Sequence, residues 1–388
     1  MSQPLVGNWN YPTAIRFGAG RIRELADACG AVGLKRPLLV TDPGIARLPM
    51  IPEAMASLRK AGIDVGLFSE VKPNPVASNV EAGIRALRAG KNDGVIAWGG
   101  GSGIDTAKAI AFMAGQTRPM WDFEDVGDWW ARANPAGILP TIAVPTTAGT
   151  GSETGRASVI TDEKTRTKKV IFHPRMMPAI VIADPELTVG LPPRLTAGTG
   201  MDAFIHCFEA YCAPGYHPYA EGIAVEGMRL VKENLARAVR DGRDLEARAH
   251  MLAASQMGST AFQKGLGAIH SLSHPVGAMF DTHHGLTNAV AMPYVVKFNR
   301  PAIEDKIVRL ARWLDLRDAT FDGFMQWMLD LRREVGIPDT LAALGVKMEH
   351  IGKLAEMAAV DPTAGGNPIK AGVPEMRRMF EAAVSGRL

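Results

Sequence analysis

From residue 13 to about residue 185, short apolar runs alternate with longer stretches that carry an apolar stripe at helical spacing. The runs at 14–17, 37–41, 65–68, 94–98 and 141–144 read as strands, and 21–28, 52–61, 80–89 and 106–113 read as helices. Within 80–89, Val80, Ile84 and Leu87 fall at i, i+4 and i+7, one face of a helix. Strands spaced by helices predict a parallel sheet with crossover connections. Three further strands, at 157–161, 169–173 and 179–183, are predicted without any requirement that they join that sheet.

After Asp184-Pro185-Glu186-Leu187 the rhythm changes. The stretches 195–211, 218–239, 245–262, 303–314 and 321–335 all read as helices, and strand candidates nearly vanish. In 218–239, Val231, Leu235 and Val239 recur at i, i+4 and i+8 with charged residues between them. The pattern predicts an α/β domain over 1–190 and an all-helical domain over 191–388, with no internal repeat or low-complexity segment.

Composition narrows the possible roles. A chain of 388 residues, 47% hydrophobic and 21% charged, is neither disordered, nor a disulfide-stapled miniprotein, nor a fibre. Lys and Arg number 43 against 40 Asp and Glu, and the densest basic patch, 164–169, is short and reads as a solvated hairpin or loop, with a phosphate contact as the alternative. No nucleic-acid partner is expected from such a balance. Cys29, Cys207 and Cys212 include no CxxC pair, which fits a reducing compartment. The first twelve residues carry neither the basic segment nor the apolar run of a signal peptide, and no stretch is apolar enough to span a membrane. A cytoplasmic location is the expectation.

Two segments suggest ligand chemistry. The strand at 94–98 runs into Gly99-Gly100-Gly101-Ser102-Gly103 and then into a helix. Glycines permit a sharp turn and close approach of a pyrophosphate, and a helix start offers unpaired N–H groups and a positive dipole end. The same glycines would also serve a tight turn that binds nothing, and the pattern matches neither GxGxxG nor GxxxxGK[ST]. The second segment, Pro145-Thr146-Thr147-Ala148-Gly149-Thr150-Gly151-Ser152-Glu153, follows the strand at 141–144 and packs four hydroxyls into nine residues. It would leave the sheet at the same edge as the glycine turn, unless its hydroxyls only cap their own helix.

The histidines cluster too. His270, His274, His283 and His284 lie within fifteen positions, and Asp202 precedes His206 by four, on one helix face. His270 and His274 repeat that spacing on a helix that should end near Pro275 to Gly277, with His284 supplied by the connection after it. Imidazoles and one carboxylate from separate elements can surround a divalent metal and leave a position open. Helix caps and packed core histidines are the alternative. His173, His217, His250 and His350 lack such company and read as structural or surface residues.

Taken in order, these motifs resemble the iron-containing, group III alcohol dehydrogenases. The likeness runs from Phe17-Gly18-Ala19-Gly20 to Asn367-Pro368 and includes Asp184-Pro185, Gly200-Met201-Asp202-Ala203 with His206, His270-x-x-x-His274-Pro275 and His284-Gly285. It implies an α/β dinucleotide-binding domain followed by a helical metal- and substrate-binding domain, a dehydroquinate synthase-like architecture. The implied activity is NAD(P)-linked interconversion of small alcohols and aldehydes or ketones, with NAD expected and NADP the alternative.

Carried over, the metal ligands are Asp202, His206, His270 and His284, the metal being iron(II) or, alternatively, zinc. His274 becomes a residue near the substrate that relays a proton or orients the site. Gly100, Gly101 and Ser102 map to the pyrophosphate, Thr146, Thr147 and Thr150 to the hydroxyl loop, Asp42 to the adenosine ribose, and Asn74 and Lys168 to further nucleotide contacts. The choice of His284 over His283 rests on family spacing, as does that of Lys168 over Lys169. A homodimer or larger homo-oligomer is the expected assembly. Ser152-Glu153-Thr154-Gly155 departs from the family's usual Ser-Glu-Val-Thr. A zinc-dependent polyol dehydrogenase of the glycerol type is the nearest rival. A dehydroquinate synthase-like lyase would need more basic side chains in its substrate site. A non-enzymatic scaffold is disfavoured by the complete set of presumed ligands.

Overall fold

Six of the short apolar runs pair into one parallel sheet in the order β1-β8-β5-β4-β2-β3. These strands are β1 (Ala14–Phe17), β2 (Pro37–Val40), β3 (Gly66–Phe68), β4 (Gly94–Gly99), β5 (Thr141–Pro145) and β8 (Ile180–Ala183); β6 (Ala157–Asp162) and β7 (Thr167–Phe172) form a separate antiparallel pair. The crossover helices are α1 (Leu25–Ala31), α2 (Met50–Lys60), α3 (Ala77–Ala89) and α4 (Gly101–Met113). The computed structural model describes residues 12–165 and 167–388, so the amino-terminal stretch read for a leader and Arg166 of the basic patch lie outside the described residues.

Burial explains the strand types. All of β2, β4, β5 and β8 is buried, as a parallel strand covered on both faces must be, whereas the edge strands β1 and β3 are partly exposed. Helix α2 presents Ile51, Met55 and Leu58 to a cluster that includes Leu39, Ile96 and Trp98. Each of those side chains contributes about 1.5–3 kcal/mol by leaving water. The direction in which strands are added reverses between β2 and β4, because β3 lies outside β2 and β5 outside β4. The loops after β2 and β4 therefore leave the sheet at its topological switch point, where open α/β sheets bind ligands.

The second half is helical: α5 (Pro193–Cys212), α6 (Pro218–Arg240), α7 (Leu245–Ala261), α8 (Ala268–Phe280), α9 (His284–Trp313), α10 (Phe321–Glu334), α11 (Ile351–Ala359) and α12 (Val373–Ser385). Helix α8 runs through Pro275 to Phe280 rather than ending near it. Its interior proline costs about 3 kcal/mol, offset by the burial of Leu272, Val276 and Pro275 itself. Helix α9 starts at His284, nineteen residues before the helix expected from residue 303. Leu286, Val290, Met292 and Val295 are buried around its first half, so no polar face marks it in sequence.

The chain divides into two compact units, residues 12–147 with 151–188, and residues 189–388 with 148–150. Gly149 belongs with the helical unit because a Cβ there would lie 2.7–2.9 Å from atoms of Thr199. No helix among the described residues is long and apolar enough to cross a membrane.

Candidate functional site

In the α/β unit, the hydroxyl loop and the glycine turn are built against one another. Gly99 and Pro145 are register partners in β4 and β5, and the Thr146 N–H donates to the Gly99 carbonyl at 2.9 Å. Gly99 has φ of 149°, open only to glycine, and a Cβ on Gly100 would come within 3.1 Å of Thr147 Cγ2. Helix α4 begins at Gly101, five residues earlier than the spacing predicts, so Gly101 and Ser102 form its first turn. That turn needs partners for its N–H groups.

The surroundings lock this geometry. Ser102 Oγ donates to the Pro73 carbonyl, and the Thr161 N–H donates to the Pro75 carbonyl at 2.8 Å, so the segment bearing Asn74 is fixed on both sides. Thr161 pairs in register with Lys168. The neighbouring Lys169 instead reaches Glu124 and Asp162 at 3.5 and 3.4 Å and lies over the Trp121 ring. Lys108, fully buried on α4, donates to the Ser152 and Ala157 carbonyls and pairs with Asp105 at 3.3 Å. Burial pushes its pKa down, against the pull of Asp105. Asp105 in turn accepts from Ser152 Oγ and the Val159 N–H. After β2, Asp42 Oδ1 accepts from the N–H groups of Gly44 and Ile45 at 2.8 and 2.9 Å, capping its own turn.

In the helical unit, α5, α8 and α9 gather four side chains. One ligand atom from each of Asp202, His206, His270 and His284 lies within 4.8 Å of the others. Asp202 Oδ1 is 4.0 Å from His206 Nε2, 3.9 Å from His270 Nε2 and 3.7 Å from His284 Nε2. The outward nitrogens are all engaged. His206 Nδ1 faces the Gly149 carbonyl at 3.3 Å, His270 Nδ1 the Glu209 carboxylate at 2.6 Å, and His284 Nδ1 the Ser273 hydroxyl at 3.1 Å. A carbonyl and a carboxylate only accept, so His206 and His270 carry a proton on Nδ1; the Ser273 hydroxyl can donate to the His284 carbonyl at 3.4 Å and accept from His284 Nδ1 in the same way. Three Nε2 lone pairs and a carboxylate oxygen then converge, the donor set a divalent cation requires.

Electrostatics sharpen this arrangement. Burial alone would lower the pKa of His270, but Glu209 and Asp202 outweigh it and the value rises, making the ring a stronger base. His206, with less compensation, is pushed down by its burial. His274 stands beside the cluster, its ring stacked on His284 at 5.4 Å and its Nδ1 2.8 Å from Asp361 Oδ2. Asp361 is buried, which alone would raise its pKa, yet His274 and Thr363 together hold it below the usual carboxylate range.

His283, adjacent to the cluster in sequence, is instead the N-cap of α9 and accepts the Leu286 N–H at 3.3 Å. His173 and His217 cap their own turns, and His350 accepts the Lys347 N–H. Cys207 faces away, toward the Ala254 carbonyl. Sequence reasoning missed Glu209, Asn288 and Asp361. Glu209 follows Asp202 by seven and Asn288 follows His284 by four, helical spacings that were available; Asp361 carried no local signal.

Residues 12–185 match the iron-containing alcohol dehydrogenase family, and residues 196–384 match the C-terminal domain of the same family. The chain belongs to the iron-containing alcohol dehydrogenases. It is similar to a 4-hydroxybutyrate dehydrogenase of Cupriavidus necator, 38% identical over 96% of this chain and 99% of that one. It is likewise similar to an NAD-dependent methanol dehydrogenase of Bacillus methanolicus, 35% identical over 97% of this chain and all of the other. Among solved structures, a 1,3-propanediol oxidoreductase superposes with a TM-score of 0.92 at 35% identity, covering 97% of this chain and 100% of its own. As an iron-containing alcohol dehydrogenase, the protein is a metal-dependent, NAD-linked oxidoreductase of small alcohols and aldehydes.

Proposed function

We propose that this dehydrogenase exchanges hydride between NAD(H) and a short primary alcohol or its aldehyde, at a divalent metal held by Asp202, His206, His270 and His284. The observation that carries the proposal is the convergence of four donor atoms, with the outward nitrogen of each of the three rings engaged by a neighbour. The primary hydroxyl is supported by the substrates in the names of similar proteins, 4-hydroxybutyrate, methanol and 1,3-propanediol. A nitrogen-rich set with one carboxylate suits iron(II) and also zinc.

When bound, the cation supplies Lewis acidity that lowers a hydroxyl pKa or polarises a carbonyl, and the nicotinamide carries the hydride. The chain's own residues do the rest. His274, with Nδ1 committed to Asp361, uses Nε2 to take the hydroxyl proton in oxidation and return it in reduction. The backbone of Gly100, Gly101 and Ser102 holds the pyrophosphate, helped by the hydroxyls of Thr146, Thr147 and Thr150 and by Asn74 and Lys168. Asp42, one oxygen engaged in its cap, offers the other to the adenosine ribose and disfavours a 2′-phosphate there. The cofactor preference is NAD(H).

We also assign the protein to the cytoplasm, which suits its three buried free thiols, and to a homodimer or larger homo-oligomer, a state that light scattering measures. The central test pairs metal analysis with the absorbance of reduced nicotinamide over a panel of alcohols and aldehydes. Turnover that follows metal content and favours primary hydroxyls is expected. Full turnover by chelated protein would refute the metal's role.

A further inference from the structure

Asn288 lies one helical turn beyond His284 on α9 and is fully buried. Its Nδ2 is 2.8 Å from Asp202 Oδ1, 3.2 Å from His270 Nε2 and 3.0 Å from His284 Nε2. One amide nitrogen thus touches three of the four atoms that would hold the metal. The other end of the amide, Oδ1, is buried with no hydrogen-bond partner among the described residues, so nothing there dictates the side chain's orientation. The reason for the orientation is the cluster itself.

We infer that the Asn288 amide is an internal competitor of the metal: its two N–H groups are shared among Asp202 Oδ1 and the lone pairs of His270 and His284 that the cation must take. An imidazole nitrogen has a single lone pair; the Nδ1–H bond to Glu209 puts that of His270 on Nε2, and the amide N–H, which can only donate, meets His284 at Nε2 as well. Each ring can accept the amide N–H or bind a cation, not both. Asp202 Oδ1 has lone pairs enough for a cation and an N–H, so of the three acceptors sharing the two amide hydrogens it alone can keep one after loading. Asn288 therefore stabilises the cluster more before loading than after it, and tunes metal affinity downward without being a ligand. This inference rests on the four-residue metal site proposed above.

The test uses cobalt(II)-loaded protein, titrated with a competing chelator and followed by the cobalt absorption bands. Asn288→Leu keeps the branched, four-atom shape of the side chain and removes the donors. It should hold cobalt about tenfold more tightly than the parent, with unchanged bands, and loading should raise its unfolding midpoint by more than it raises the parent's. Equal or weaker cobalt binding overturns the inference, as does a change in the bands, which would make the amide oxygen a ligand. If Asn288→Leu does not fold, Asn288→Ala is read by the same criteria. His270→Ala separates the two claims: retained cobalt there sinks the site itself, whereas lost cobalt there with unchanged affinity in the Asn288 variant sinks only the competitor role.

Discussion

Adjacent histidines with unlike partners give the sharpest prediction at the scale of single residues. His284 aims Nε2 at Asp202, while His283 spends its ring on the Leu286 N–H. His284→Ala should lose most of the bound metal, and His283→Ala should keep it while losing about 1 kcal/mol of helix capping. Metal stoichiometry and denaturant midpoints on both variants check the pair. His274 differs from either, since its ring stacks on that of His284 and hydrogen-bonds Asp361. His274→Ala should retain metal and slow alcohol oxidation by ~10²–10⁴. The loss should shrink at high pH, where solvent base takes over, as a turnover profile across pH would record. Loss of metal from this variant would move His274 into the coordination shell.

Among elements, the turn after β2 carries a side chain with a structural role and a proposed binding role. Asp42 caps the turn through Oδ1 and sits at the sheet's switch point beside the exit of β4. Asp42→Gly removes the like charge that would oppose a 2′-phosphate, so the ratio of kcat/KM for NADP(H) over NAD(H) should rise. It also removes two hydrogen bonds, so the α/β unit should lose about 1–3 kcal/mol. Kinetics with both cofactors, together with a denaturation curve, separates the two effects; an unchanged cofactor ratio would remove Asp42 from the ribose site. Gly149 makes a comparable point, since its carbonyl faces His206 Nδ1 and its missing Cβ makes room for Thr199.

For the molecule as a whole, the three cysteines measure how closed the core is. Cys29, Cys207 and Cys212 are buried free thiols, and burial pushes each pKa up to about 12. At pH 8 a thiol of that pKa is ionised in only ~10⁻⁴ of molecules, and the thiolate is the nucleophile. Native protein should therefore resist iodoacetamide while the denatured chain labels all three, with mass spectrometry counting the adducts. Rapid labelling of native protein at pH 8 would mean that one of these sites opens readily.

The sequence by itself determined whatever repeats within one element. Alternating apolar runs specified β4 and β5, consecutive glycines specified the turn that only glycine's φ allows, and Asp202 with His206 specified one face of α5. The tertiary structure decided what no local period encodes. Helix α9 is buried on every side through its first half, so its apolar residues carried no stripe to read. Glu209 meets His270 across 61 residues and Asp361 meets His274 across 87, separations set by the packing of whole helices. The choice between His283 and His284 had the same origin: the chain leaves α8 through Asp281, whose φ is 52°, and α9 then begins with one imidazole folded back as its cap and the next turned toward Asp202.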